Sequence, residues 1–195
     1  MNLYTLALFV HVSSAMCLFI GFGIWLLGIT RISRAGRVEH VRTLADLMLM
    51  VRLVVPGSAL LVIAAGATMT RIAWGFQTGW IAVALGSLAI IGPIGTWVVD
   101  PKVRAIATLA HTLPDGPLPI TLADRTHSHV LRVALHTMTA MLFGIVFLMT
   151  IKPALMGAIG AMVISAVLGL ASGVGLARPK RAAPSDRRPQ EEEAS

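Results

Sequence analysis

The chain is predicted to fold as an all-α, polytopic membrane bundle of five transmembrane helices, N-terminus out and C-terminus in. Three observations lead there. Its 195 residues are 56% hydrophobic and 13% charged, against the roughly 25% charged residues of a soluble domain, and the mean hydropathy is +0.80. Apolar runs recur at about 3–29, 50–73, 80–99, 130–151 and 154–176, each near the roughly 20 residues that cross a hydrocarbon core. Basic residues gather between alternate runs, where orientation signals belong. The net charge of +7 is therefore a matter of topology, and no nucleic-acid partner is expected.

The first run, Leu3 to Ile29, carries no charge before Arg31. It lacks a basic leader, is too long for a signal-peptide core and has its positive charges after it, so it is expected to remain as a span. Cys17 is the only cysteine, which excludes an intrachain disulfide and a cysteine zinc cluster. Arg52 lies one turn inside the second run, and Trp74 and Trp80 flank the short turn to the third, at the depth indoles prefer. Gly92-Pro93-x-Gly95 predicts a kink in the third.

The loop 100–129 is the one sizeable extramembrane element. Pro114, Gly116, Pro117 and Pro119 make its centre irregular, and Thr121 with Asp124 reads as a helix cap. The fourth helix is thus expected to begin inside this loop and to carry His127 and His129. Lys152-Pro153 sets a tight hairpin before the fifth span. Residues 1–177 form the bundle. Residues 178–195, with Pro179, Pro184, Pro189 and Glu191 to Glu193, read as a disordered cytoplasmic tail.

Orientation follows from the cations. Arg31, Arg34, Arg37, Arg42 and Arg52 fall in the first connection, Lys102, Arg104, Arg125 and Arg132 in the third, and Arg178, Lys180, Arg181, Arg187 and Arg188 in the tail. Only Arg71 and Lys152 fall on the other side. Positive residues are retained inside.

Helices in lipid associate by close backbone approach and hydrogen bonds. Gly157, Ala161, Ser165, Gly169 and Gly173 recur every four residues on the fifth span, a face for a membrane-protein partner, a homo-oligomer or a neighbouring helix. His136, Ala140 and Gly144 line a similar groove on the fourth.

An ionisable residue inside a span is a functional suspect. His11 shares a polar stripe with Tyr4 and Ser14, and three roles are open to it: an interhelical hydrogen bond, haem ligation, or proton relay. His136 is the second intramembrane histidine. At 1.5 Å per residue His11 lies about 12 Å from the outer end of its span and His136 about 22 Å from the outer end of its own, whereas Met141 lies at about 15 Å. Two axial ligands must flank one iron, so depth disfavours His136 and brings Met141 forward as a partner. His129, Arg132 and His136 share a face that suits an anionic headgroup or a propionate, or simply snorkels. Arg52 and Asp100 are expected at one level, within pairing reach. His111, Asp115, Asp124, His127 and His129 are loosely grouped, but His-x-His on a helix diverges by about 200°, and no metal site is expected. Phosphate loops, nucleophile elbows and paired intramembrane carboxylates are absent.

Leu6 to Leu27, LALFVHVSSAMCLFIGFGIWLL, and Phe143 to Pro153, FGIVFLMTIKP, are together similar to a group of small, uncharacterised bacterial integral-membrane proteins. That group distantly resembles the CopD membrane domain and the HemJ-type protoporphyrinogen oxidase. The resemblance covers about a third of the chain. It implies a helical bundle in the bacterial inner membrane and b-type haem bound through a first-helix histidine, here His11. This chain departs from the HemJ pattern in lacking a lysine within the third span, Lys102 being at its boundary, and in having a fifth helix.

The sequence thus leads to a multi-pass inner-membrane protein with haem b as candidate cofactor and His11, His136 and Met141 as candidate ligands, acting in redox or electron transfer. Two alternatives stand beside it: a non-catalytic subunit packed on a larger partner, and a transporter of a small solute or metal with Pro93 in a broken helix.

Overall fold

The computed structural model describes residues 2–175. The tail assigned to 178–195 lies outside them. Among the described residues there are eight α-helices: α1 (Leu3–Ile32), α2 (Val38–Met50), α3 (Val54–Met69), α4 (Gly79–Pro93), α5 (Asp100–Thr112), α6 (Ile120–Thr126), α7 (His129–Ile151) and α8 (Leu155–Gly175). Two π-helical segments, Thr70–Trp74 and Ile94–Val99, extend α3 and α4. Five stretches are long and apolar enough to cross a membrane: Leu3–Ile32, Val38–Trp74, Gly79–Thr112, Ile120–Ile151 and Leu155–Gly175. Their number and order match the five apolar runs, and large side chains such as Ile20, Leu60, Phe143 and Leu168 are exposed on their outer faces, as lipid contact allows.

Helix outlasts hydrophobicity at one end of the bundle. Val38, Val41, Ala45 and Met48 form a buried stripe on α2, and Val103, Ile106, Ala107 and Ala110 form one on α5. The two amphipathic helices close on each other through these stripes, which is what a 3.6-residue period with one apolar face requires. Arg42 locks the pair. Its guanidinium donates to the carbonyls of Ala110 (3.1 Å) and Leu113 (2.8 Å) and meets Asp115 at 2.8 Å. The carbonyls at a helix C-terminus have no intrahelical partner, so a half-buried arginine there is a capping device. Val38 N–H to Gly116 O and Leu118 N–H to Gly36 O, both 3.0 Å, staple the two loops beneath.

The expected cap at Thr121 is not used. Pro119 precedes α6 and offers no side-chain cap, and α6 ends at Thr126. A break at His127 and Ser128 follows, and Ser128 Oγ accepts from Leu131 N–H to start α7. Thr121 cannot cap α6 because it is already the second residue of that helix, and α7 has its own cap in Ser128. At Pro93 the helix is carried through in the wider π register of Ile94–Val99, which accommodates the missing N–H.

The two small-residue grooves mate with each other. A Cβ added at Gly169 would lie 2.5 Å from Thr137 Cα and 3.0 Å from His136 O, and one at Gly173 would lie 2.7 Å from Val133 Cα. Ser165 Oγ is 2.6 Å from the corresponding point at Gly144. The fifth-span stripe is therefore occupied along much of its length by α7 of the same chain. Lys152 makes the hairpin by taking a left-handed conformation, φ 51°, with its N–H on Leu148 O at 2.9 Å.

Helix α1 holds the centre, packed along α3 on one side and against α2 and α7 on others. Helix α4 packs on α7 and α8 and barely touches α3. The gap between α3 and α4 contains the cavities described next.

Candidate cavity around His11

His11 is half-buried on α1, with Ser14 buried one turn on and Tyr4 half-buried two turns back. The imidazole crosses to α3, where Nδ1 lies 2.9 Å from the carbonyl oxygen of Val62. A carbonyl cannot donate, so Nδ1 carries the hydrogen. In the tautomer that this bond selects, the lone pair lies on Nε2. Gly66 makes this approach feasible. An added Cβ there would stand 3.2 Å from His11 Cε1 and 3.3 Å from Nδ1, so any larger residue would press on the ring. With Nδ1 and Cε1 against α3, Nε2 is the nitrogen left to the adjoining cavity.

That cavity measures about 530 Å³ and is walled by α1, α3, α4 and α7, within the range of about 300–1,000 Å³ usual for ligand sites. Its lining is apolar apart from His11, Thr70 and Thr150. Trp74 and Trp80, at 5.9 Å and nearly perpendicular, close one end, and Lys152 Nζ sits 4.2 Å above the Trp74 ring. The π segment puts Trp74 there: Thr70 Oγ1 donates to Gly66 O, and the register widens immediately afterward. Three methionines, Met16, Met69 and Met149, also line the space.

Neither His136 nor Met141 reaches it. The α7 residues at the level of His11 are Leu142, Ile145, Val146, Met149 and Thr150. His136 is nine residues below Ile145, about 13 Å along the helix, and its Nδ1 donates to Arg132 O of its own helix at 2.9 Å. The depth argument against a His11–His136 pair agrees with this placement. Met141 is buried at 8% exposure but lines neither cavity. Depth along a helix is readable from residue count, and azimuth depends on packing, so Met149 and Met69 escaped the sequence reading. Their one available signal was a thioether within a turn or two of the tryptophan belt.

A second cavity of about 360 Å³ abuts the first through shared Leu18, Ile63, Leu88 and Leu142. Arg52 and Asp100 meet there as expected, Nε to Oδ1 at 2.7 Å, and Arg104 takes Oδ2 at 2.7 Å. The loosely grouped loop residues disperse: His111 pairs with Asp46 at 2.9 Å, Asp115 with Arg42, and His127 Nδ1 with Ala123 O. Among the described residues no three His, Cys, Asp or Glu side chains converge on a metal position. None of the known family models, curated proteins or solved structures matches the chain.

Proposed function

We propose that the protein is a multi-pass inner-membrane redox protein whose larger cavity would hold b-type haem, with His11 as the residue that would bind its iron. The observation that carries this reading is the Nδ1–H to Val62 carbonyl bond beside that cavity. A ligating imidazole commonly donates its other nitrogen to a carbonyl, which fixes the tautomer and raises the basicity of the coordinating nitrogen. The residues fit the group in three further respects. The space is large and apolar, Met69 and Met149 supply thioethers on walls other than that of His11, and Lys152 stands over Trp74 at the rim, where a propionate needs a cation.

Bound haem would supply one-electron chemistry. The chain's own contribution is to orient the imidazole through Val62, to keep Gly66 small, and to exclude water with the Trp74–Trp80 pair. With the N-terminus outside, the cavity occupies the outer half of the membrane. Purified protein from haem-replete cells is expected to show a Soret band that shifts on dithionite reduction and is lost in His11→Ala. A colourless preparation from such cells would refute the reading.

The end-to-end arrangement of two cavities favours a second reading, a carrier of a small solute. Uptake that survives His11→Ala and fails in Pro93→Ala would establish it over the first. The subunit reading would draw on an exposed apolar face, because the α8 stripe lies against α7; a stoichiometric copurifying partner would support it.

A further inference from the structure

The smaller cavity differs in chemistry from the His11 cavity, and what it accepts does not depend on haem. Its walls are apolar, with Phe22, Trp25 and Met138 among them, and its polar end is the Arg52–Asp100 pair. Asp100 is buried, at 9% exposure, and receives a guanidinium on each carboxylate oxygen, Arg52 on Oδ1 and Arg104 on Oδ2. Two cations share this one anion, so Arg52 and Arg104, with side chains 41% and 50% exposed, leave a net positive charge at the open polar end of the cavity.

The cavity also opens sideways. Leu53 just before α3, Leu60 on it, and Gly92 and Thr96 on α4 and its π extension line it and are exposed. They border the gap where α3 and α4 scarcely touch. In a bilayer that gap faces acyl chains rather than water. A site with an apolar body open to hydrocarbon and a surplus cation at one end matches a molecule of the same layout, and anionic lipid headgroups are drawn to such cations.

We propose that the cleft between α3 and α4 is a binding site for an anionic diacyl lipid, one acyl chain in the cavity and the phosphate on Arg52. A zwitterionic lipid brings its own cation and leaves the surplus charge unmatched, so the site selects headgroup charge.

Trp25 reports on the site, since it lines the cavity and is only 3% exposed. The full chain carrying Trp74→Phe, Trp80→Phe and Trp97→Phe is placed in phosphatidylcholine vesicles with a minor fraction of lipid brominated on its acyl chains. Brominated phosphatidylglycerol is expected to quench Trp25 several-fold more than the same fraction of brominated phosphatidylcholine. The excess should vanish in Arg52→Gln and persist in Arg52→Lys. Unbrominated phosphatidylglycerol should restore the emission and phosphatidylcholine should not, a comparison that decides the matter even if Arg52→Gln fails to assemble. Equal quenching by the two headgroups overturns the proposal, as does an excess that survives Arg52→Gln. Displacement by a neutral quinone but not by phosphatidylglycerol overturns it in favour of an uncharged occupant.

Discussion

Substituting Gly169 by alanine tests the α7–α8 contact directly. The added Cβ would sit 2.5 Å from Thr137 Cα and 3.0 Å from both Ala140 Cβ and His136 O. Ordinary carbon contacts begin at about 3.5 Å, so α8 must withdraw by about 1 Å from a backbone that cannot yield. Overpacking of this kind costs about 1–3 kcal/mol. Alanine also gains up to about 1 kcal/mol over glycine in helix propensity, which would partly hide the clash. Gly160→Ala supplies the correction, because nothing lies within 4 Å of its added Cβ and it reports propensity alone. The difference between the two variants is therefore expected to be about 1–3 kcal/mol, Gly169→Ala being the less stable. Titration of the detergent-solubilised protein with dodecyl sulfate, followed by far-ultraviolet circular dichroism, measures it. Coincident midpoints for the two variants would refute the close approach of α7 and α8.

Other outcomes follow from the same geometry. Gly66→Ala should leave the midpoint nearly unchanged, since the propensity gain offsets the strained His11–Val62 bond, each worth about 1 kcal/mol. Gly66→Val should displace the ring, and an unaltered haem spectrum in that variant would contradict the proposed ligation. Asp100→Asn is expected to cost about 1–3 kcal/mol, because it weakens two charge-assisted bonds at a buried carboxylate. Asp46→Asn should cost less than about 1 kcal/mol, its partner His111 being on the surface; equal midpoints for the two would show the Asp100 cluster to be solvated. Lys152→Val forces a β-branched residue into a left-handed turn and should cost about 1–2 kcal/mol. Lys152→Gly should be close to neutral in the same titration, since the backbone relief offsets the lost contact with Trp74.

The five helices long and apolar enough to cross a membrane were legible because each is a long apolar run, and the hairpin at Lys152-Pro153 because proline forbids continuation. The pairing of Arg52 with Asp100 was legible from depth alone, and so was the separation of His11 from His136. Helices α2 and α5 were not, because their hydrophobic residues form a stripe rather than a run, and hydropathy reports solvent rather than helicity. Thr121 carried a capping signal but lies inside α6, since the chain at Pro119 already fixes where that helix begins. The composition of the His11 cavity was out of reach for a related reason. Which of ten methionines faces one histidine depends on how helices rotate against each other, and no residue count contains that angle.

The π segment Ile94–Val99 joins two surfaces satisfied independently: α4 against α7 and α8, and α5 against α2. The additional residue in its wide turn sets the phase between them. Deleting one position, Thr96 for instance, would turn everything downstream by about 100° and draw it back about 1.5 Å. Asp100 would swing away from Arg52, and the stripe of Val103, Ile106, Ala107 and Ala110 would roll off α2. Exposed positions in this stretch such as Thr96 and Trp97 are thus freer in identity than in number, whereas Val99 is fully buried and Gly95 faces Met138 Cε at 3.2 Å from an added Cβ.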